Sequence, residues 1–188
     1  MLLPNKTMAS ELTPLISASE IQQTVKRLAQ EIDQDYRDRS PILIGILKGA
    51  FIFLSDLVRH IRTPIQRIEL IRLSSYGSGT SSSGQVKVLL DLPEGLITHQ
   101  DVILVEDIVD TGLSTSKAIA LLTTPHPASL KLCSLLDKPA RRQIKVTIDY
   151  LGLTVPDKFI VGYGIDWDER YRQLPDIRII NQCTESAY

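Results

Sequence analysis

The feature that most constrains the fold of this 188-residue chain is the stretch at residues 102–115, which reads VILVEDIVDTGLST. Its first four residues are apolar and mostly β-branched, which predicts a strand buried on both faces, as in a parallel sheet. Two acids follow at the carboxyl end of that strand, and a turn with a third acid, a glycine and hydroxyls leads into a helical pattern. A strand, a polar turn and a helix in this order form a ligand site in most open α/β sheets.

The turn itself predicts a phosphate site. Gly112 lets the backbone approach a ligand closely, and the free N–H groups at a helix start bind anions. The hydroxyls of Thr111, Ser114 and Thr115 add further donors. The three nearby carboxylates would repel a phosphate unless the ligand also brings hydroxyls or a divalent cation. A sugar phosphate with Mg²⁺ meets both conditions, because ribose hydroxyls donate to carboxylates and Mg²⁺ screens the negative charge.

Two other interpretations compete on the residues alone. The triplet Asp110-Thr111-Gly112 also occurs in aspartic proteases, but those proteins are all-β, and a helix after the triplet disfavours them. The stretch could also be a capped turn with solvated acids. Such turns are common, yet three acids and three hydroxyls within ten residues exceed what capping needs.

A second strand–turn–helix pattern precedes this stretch. A strand at residues 41–47 ends in Lys48-Gly49, and a helix is predicted at residues 51–62. The other predicted elements are a helix at 17–39 with a Ser17/Glu20 capping box, strands at 68–73, 86–90, 129–136 and 159–161, and a helix at 114–122. We therefore expect an α/β fold with a central, mostly parallel sheet flanked by helices, in one domain over residues 1–188 with its core at about 15–182.

The composition narrows the class of protein. Hydrophobic residues make up 43% of the chain, charged residues 23%, and the net charge is −1, which suggests neither a nucleic acid nor an anionic membrane as partner. Cys133 and Cys183 are too few for a disulfide scaffold, and Cys133 is expected in the core. His60, His99 and His126 are scattered, and no metal-ligand spacing occurs. Without an apolar run that could span a bilayer or a secretory leader, we expect a cytoplasmic enzyme.

The central stretch resembles the phosphoribosyl-pyrophosphate signature of the type I phosphoribosyltransferases. Two later segments, DKPARR at residues 137–142 and PDKFIVGYGIDWDERYR at residues 156–172, resemble the hypoxanthine-guanine phosphoribosyltransferases within that family. The resemblance implies a type I phosphoribosyltransferase fold with a small hood of N- and C-terminal segments. It also implies transfer of 5-phosphoribosyl from phosphoribosyl pyrophosphate to N9 of a 6-oxopurine, with Mg²⁺ as cofactor, in a homodimer or homotetramer.

The resemblance also implies roles for individual residues. Asp110 would be the general base at purine N7, and Glu106 and Asp107 would hold the ribose hydroxyls. Mg²⁺ would be bound at Glu106, Asp107 and Asp166. The 5′-phosphate would lie in the cradle formed by Asp110, Thr111, Gly112, Leu113, Ser114 and Thr115.

The resemblance also implies pyrophosphate and purine contacts outside the central stretch. Lys48, Gly49 and Arg172 would bind pyrophosphate, and the sequence leaves open whether the Leu47–Lys48 peptide bond is cis. The purine would contact Lys138, Phe159 and Ile160. On pattern alone, by contrast, Phe159 is an ordinary core residue of a strand and Lys138 a solvated charge.

The Gly/Ser tract at residues 74–84 has two interpretations. Its composition alone predicts a flexible hairpin loop. The resemblance implies instead a lid that begins at Ser75 and Tyr76 and closes over the site to exclude water.

Two rival functions remain on the sequence. One is a related transferase that acts on xanthine or a pyrimidine. The other is a regulator that binds phosphoribosyl pyrophosphate without turnover. The acidic pair Glu106-Asp107 argues against the regulator, and Lys138 with Phe159 argues against a pyrimidine.

Overall fold

The computed structural model describes residues 11–75, 86–90 and 92–181. These residues form two sheets, three α-helices and a short 3₁₀ turn at Pro139–Arg141. In chain order the elements are β1 Glu11–Ile16, α1 Ala18–Asp35, β2 Ile42–Leu47, α2 Phe51–His60, β3 Arg67–Ser75, β4 Val86–Leu90, β5 Asp101–Val109, α3 Leu113–Thr123, β6 Ser129–Asp137, β7 Tyr150–Thr154, β8 Ile160–Val161 and β9 Ile177–Asn181.

The larger sheet has the strand order β4-β3-β2-β5-β6-β7. Five of its strands run parallel, and β4 pairs antiparallel with β3 at one edge. From β2 the chain moves outward to β3, and from β5 it moves outward the other way to β6 and β7. The carboxyl ends of β2 and β5 therefore flank the point where strand order reverses, which is where open α/β sheets bind ligands.

Burial on both faces fixes the register of the central strands. In β2, Leu43 packs into the cluster under α1 and α2, while Ile42 and Ile44 pack into the cluster under α3. Because side chains alternate along a strand, this two-sided burial produces the continuous apolar runs seen in the sequence. Fully burying one such side chain stabilises the fold by about 1.5–3 kcal/mol. The predicted parallel sheet is confirmed.

Helix α1 begins as the sequence predicts and ends four residues early. Ser17 Oγ accepts from the Glu20 N–H at 3.2 Å, and the Ser17 N–H donates to the Glu20 carboxylate at 2.8 Å, which completes the capping box. The helix ends at Asp35 instead of Arg39, and the Arg39 guanidinium donates to the Asp35 carbonyl at 2.7 Å. Arg39 therefore caps the helix from outside it.

The smaller sheet is antiparallel, with the order β1-β9-β8. It joins the two ends of the described chain, since Leu12 pairs with Ile180 and Ile160 pairs with Ile179. This sheet confirms the expected hood of N- and C-terminal segments, although the sequence predicted no strand before residue 17.

The cysteines, the predicted lid and the expected lack of a membrane-spanning helix can be compared with the described residues. Cys133 is buried in the core as predicted, and Cys183 lies outside the described residues. Ser75 ends β3, whereas Tyr76 and the rest of the predicted lid also lie outside them. No helix in the described part of the chain is long and apolar enough to cross a bilayer.

Candidate active site

Three strand ends meet at the carboxyl edge of the larger sheet. β2 leads into Lys48, β5 into Asp110, and β6 into Lys138. Val109 pairs with Asp137 across β5 and β6, and the Lys138 N–H donates to the Val109 carbonyl at 3.0 Å. The parallel register therefore brings together residues that are far apart in sequence.

The acidic pair lies inside β5, not after it as the sequence predicted. The strand runs to Val109, because its pairing with β6 continues past Val105. Glu106 and Asp107 are consequently buried, with 7% and 9% of their surface exposed. Their placement in the ladder fixes their backbone more firmly than a loop would.

Burial sets the ionisation of this pair. Desolvation, and then the charge of Asp107, raises the pKa of Glu106 well above its ordinary value of 4.5. Desolvation also raises the pKa of Asp107, although hydrogen bonds and the nearby Arg172 oppose the rise. One Glu106 oxygen, Oε2, is buried and has no hydrogen-bond partner among the described residues. A buried, unpartnered carboxylate oxygen is a vacant acceptor that a hydroxyl or a cation would satisfy.

A metal held by protein alone does not fit this edge. No group of three or more His, Cys, Asp or Glu side chains in the described ranges could hold an ion by itself. Mg²⁺, however, is usually held by one or two carboxylates together with substrate phosphates and water. The buried pair and its vacant oxygen fit an ion that arrives with a phosphorylated substrate.

The turn after β5 packs against the backbone of residues 143–144. Gly112 has a φ of 82°, and a Cβ there would lie 2.4 Å from the Ile144 carbonyl oxygen. The Thr111 carbonyl accepts from the N–H groups of Gln143 and Ile144 at 2.9 and 3.1 Å. Only glycine fits this position, which combines the left-handed backbone with a close approach.

Helix α3 presents free donors above this turn. The Leu113 N–H donates to Thr111 Oγ1 at 3.3 Å. The first backbone hydrogen bond of the helix runs from the Ser116 N–H to the Gly112 carbonyl at 2.9 Å. The N–H groups of Ser114 and Thr115 therefore have no intrahelical partner. These two free N–H groups are donors that an anion could use, and the phosphate cradle stays a prediction.

Arg142 fixes the same turn and was not singled out by the sequence. Its guanidinium donates to the carbonyls of Asp110 and Val109, at 3.0 Å each, and to the Asp137 carboxylate. The adjacent Arg141 and Arg142 after a strand indicated a basic segment, but the pattern did not indicate which of the two arginines would face inward.

Asp110 and Lys138 lie side by side. Lys138 is only 4% exposed, and its Nζ lies 2.9 Å from the Lys158 carbonyl oxygen and 3.9 Å from Asp110 Oδ2. The other Asp110 oxygen, Oδ1, is buried and accepts no hydrogen bond from any described residue. A buried ammonium donor and the Asp110 carboxylate thus lie next to each other, so the solvated-charge interpretation of Lys138 is wrong.

Phe159 adjoins this pair from the hood. It directly follows Lys158, and 54% of its surface is exposed. The strand predicted at 159–161 begins at Ile160, which is buried. The pattern-based expectation of a core phenylalanine is therefore wrong, because only the backbone of Phe159 joins the hood, through its carbonyl to the Ile180 N–H at 2.9 Å. An exposed ring beside a buried lysine can stack on a flat ligand.

Gly49 is enclosed on two sides. A Cβ there would lie 2.1 Å from Asp107 Oδ2, and a Cβ on Gly164 would lie 2.1 Å from the Gly49 carbonyl oxygen. The preceding Leu47–Lys48 peptide bond is cis, which the sequence had left open. The loop after β2 therefore passes between the acidic pair and the hood, and at Gly49 it leaves no room for a side chain.

The hood turn, residues 162–172, brings a second set of charges to the edge. Arg172 donates to the Gly164 carbonyl at 2.8 Å, and its Nη2 lies 2.8 Å from Asp166 Oδ1. Glu169, which the sequence did not single out, accepts from Lys48 at 2.8 Å. No local pattern marked Glu169, because its partner lies 121 residues away.

Comparison with known proteins agrees with this architecture. Residues 17–168 match the family model for the phosphoribosyl transferase domain. The chain is 43% identical over 166 residues to hypoxanthine-guanine phosphoribosyltransferase of Bacillus subtilis, covering 88% of this chain and 91% of that protein. It is 42% identical over 165 residues to hypoxanthine phosphoribosyltransferase of Escherichia coli, covering 87% and 92%.

A solved structure extends the likeness to three dimensions. The hypoxanthine-guanine phosphoribosyltransferase of Bacillus anthracis superposes with a TM-score of 0.85 at 44% identity, covering 91% of this chain and 100% of that one. The matches in sequence, the shared fold and the meeting of the three strand ends all point to the same family. The chain belongs to the phosphoribosyltransferase family, among the hypoxanthine-guanine phosphoribosyltransferases.

Proposed function

We propose that this protein is a pentosyltransferase of purine salvage, which transfers 5-phosphoribosyl from phosphoribosyl pyrophosphate to hypoxanthine or guanine. The products are IMP or GMP and pyrophosphate. The observation that carries the proposal is the separation of 3.9 Å between Lys138 Nζ and Asp110 Oδ2. On a 6-oxopurine, O6 and N7 lie on the same edge. A donor and an acceptor at this spacing suit those two atoms.

The reaction can be written with the groups at this edge. The bond between the ribosyl C1′ and the pyrophosphate oxygen breaks, and N9 of the purine bonds to C1′. The proton on N7 passes to Asp110, through the Oδ2 atom that lies beside Lys138 Nζ. The leaving pyrophosphate takes the electron pair of the broken bond. No nucleophilic side chain is required.

Charge stabilisation falls to the residues around the ribosyl group. Glu106 and Asp107 would accept hydrogen bonds from the ribose hydroxyls, and their negative charge favours a cation-like C1′ in the transition state. The N–H groups and hydroxyls of residues 110–115 would hold the 5′-phosphate. Lys48, the Gly49 backbone and Arg172 would stabilise the departing pyrophosphate.

Purine choice would lie at the border of sheet and hood. Lys138 would donate to O6, Phe159 would stack on the ring, and the Ile160 backbone would meet the purine edge. The burial of Lys138 supports this role, because a desolvated ammonium discriminates strongly between an acceptor and a donor.

A divalent cation belongs to this proposal. The family uses a divalent cation in general, and we propose Mg²⁺. Glu106 and Asp107 would face it at the sheet edge and Asp166 from the hood turn, although the three carboxylates do not form one cluster in the described structure. When bound, the ion would neutralise charge on pyrophosphate. The vacant Glu106 oxygen supports the site, since a cation would offset the cost of ionising that buried carboxyl group.

The setting of the enzyme is also part of the proposal. We propose that it works in the cytoplasm on small molecules only, without nucleic acid or membrane, as a homodimer or homotetramer.

The test is product formation. The purified chain should convert phosphoribosyl pyrophosphate and hypoxanthine or guanine to IMP or GMP, read by chromatography, and excess chelator should abolish turnover. Xanthine and orotate serve as competitor bases for the rival transferases. Binding of phosphoribosyl pyrophosphate without any nucleotide product would favour the non-enzymatic regulator and contradict the proposal.

A further inference from the structure

One carboxylate oxygen connects the two cations that the proposed function assigns to pyrophosphate. Glu169 Oε2 lies 2.8 Å from Lys48 Nζ and 3.3 Å from Arg172 Nη2. Lys48 follows β2 in the larger sheet, whereas Arg172 belongs to the hood turn. Glu169 is therefore a bridge between sheet and hood at the place where an anion would otherwise lie.

The bridge is directed by its own turn. The Glu169 N–H donates to Asp166 Oδ2 at 2.8 Å. The other oxygen of Asp166, Oδ1, pairs with Arg172 Nη2 at 2.8 Å. Glu169 has a φ of 61°, a backbone conformation that few residues other than glycine adopt. The turn thus aims the Glu169 side chain back toward Lys48 instead of into solvent.

The bridge is ionised and exposed. Hydrogen bonds from Lys48, and then from Arg172, lower the pKa of Glu169 below its ordinary value. The exposed side-chain fractions are 64% for Glu169 and 45% for Lys48. Exposed ion pairs of this kind are weak and break readily. Arg172, at 18% exposed, is held more firmly by Asp166 than by Glu169.

We propose that Glu169 is a positioning residue that occupies the pyrophosphate subsite before substrate binds and is displaced by the pyrophosphate group. The inference rests on the proposed function, which assigns Lys48 and Arg172 to pyrophosphate. The carboxylate keeps both cations at the site in the empty enzyme. It reclaims them when pyrophosphate leaves, and so competes with the product for the same donors.

The size of the competition follows from the exposure of the pairs. Each exposed ion pair changes an equilibrium constant by up to roughly fivefold. Removing the Glu169 charge should therefore tighten binding of inorganic pyrophosphate by about 3–10-fold. The KM for phosphoribosyl pyrophosphate should fall in the same direction, while the KM for hypoxanthine should stay unchanged because the purine contacts lie elsewhere.

The experiment is calorimetric titration of inorganic pyrophosphate, at fixed Mg²⁺, into the wild type, Glu169→Gln and Asp168→Asn. Asp168 is the matched control, since it is exposed, has a φ of 53°, loses the same charge and has no described partner at Lys48 or Arg172. Glu169→Asn is a second variant, because asparagine readily adopts this backbone.

Tighter binding by both Glu169 variants than by Asp168→Asn supports the inference. A loss of folding or of site geometry would weaken binding, so tightening cannot come from damage. Affinity equal to that of Asp168→Asn, or weaker than wild type, overturns it. If the wild type makes no nucleotide product from hypoxanthine or guanine, the proposed function fails instead, and the two failures are distinguishable.

Discussion

The sheet edge and the hood turn meet at one site but are built differently. At the sheet edge, defined as residues 106–115 and 137–142, strand pairing and Arg142 hold the backbone, and Glu106, Asp107 and Lys138 are buried. In the hood turn, residues 162–172, left-handed backbone occurs at four residues other than glycine, and exposed ion pairs join the turn to the loop after β2. Each such conformation costs about 1–2 kcal/mol.

The difference separates two tasks. Groups that stabilise a transition state must be in place before the reaction, which a buried strand end held by pairing with β6 provides. Groups that hold a leaving product must release it, which weak exposed pairs allow. We therefore expect changes at the sheet edge to reduce the rate of chemistry, and changes in the hood turn to alter binding and release.

The largest expected effect at the sheet edge follows Asp110→Asn. The change keeps the shape but removes the proposed base, and loss of a general base typically costs roughly 10²–10⁴-fold. The loss should fall on kcat, measured in single-turnover reactions, with the affinity for phosphoribosyl pyrophosphate nearly unchanged. A single-turnover rate within about twofold of wild type would remove Asp110 from the role of base.

Gly49→Ala tests the contact between the two regions. Its Cβ would lie 2.1 Å from Asp107 Oδ2, so the acid or the loop must move. A displacement of about 1 Å can cost roughly 10²-fold in kcat/KM. Gly95→Ala is the control for an added methyl group, because a Cβ there meets nothing within 4 Å. The φ of 75° at Gly95 adds backbone strain, but in the loop before β5, so activity should persist. Full activity in Gly49→Ala would mean that the enclosed loop is not required.

Glu106→Gln should stabilise the ligand-free enzyme at neutral pH while impairing turnover. The folded-state pKa of Glu106 is raised above 4.5, so the folded protein holds its proton more tightly than the unfolded chain does. Stability from this group is therefore complete below about pH 4.5 and is lost as the pH rises through the folded pKa. We expect Glu106→Gln to be more stable by about 1–3 kcal/mol at neutral pH.

Thermal melts of both proteins across pH, in chelator and without substrates, check this expectation. The difference in Tm should grow with pH and be small in acid. A difference that is independent of pH would show that the ionisation of Glu106 has no part in it.

The smallest expected effect concerns the attachment of the hood turn. Tyr163 donates its hydroxyl to Asp56 at 2.6 Å, and Tyr150 makes a similar bond to Asp35 at 2.7 Å, away from the site. Removing either hydroxyl should lower the free energy of unfolding by about 0.5–1.5 kcal/mol. Only Tyr163→Phe should also raise the KM for phosphoribosyl pyrophosphate, by roughly twofold to fivefold. Equal kinetic changes in both variants would contradict a special link to the hood.

The sequence predicted the sheet edge far better than the hood. The apolar run of β5 and the turn at Gly112 are local features, so pattern and turn chemistry were sufficient to place them, whereas the acidic pair was expected after the strand and lies inside it. The length of β5 was missed, since its last residues are held by pairing with β6, which no local pattern reveals.

The hood depends on contacts between distant residues. Strand β1 is stabilised by β9, with Thr13 and Asn181 168 residues apart in the chain, and Glu169 finds Lys48 across 121 residues. Pattern alone also placed Phe159 in the core, because an apolar residue beside two buried ones looks like a strand interior. Only the resemblance to a known family anticipated its exposed ring.

The most direct test of the account is the choice of base. Lys138 has donors but no acceptor, so it suits O6 of hypoxanthine and would meet the amino group of adenine donor to donor. Sites built around one polar group reject an analogue that lacks it by about 10⁴–10⁵-fold. The measurement is kcat/KM for hypoxanthine and adenine, in wild type and in Lys138→Gln. The account predicts a preference for hypoxanthine of that size, narrowed in Lys138→Gln, and comparable wild-type values for the two bases would contradict it.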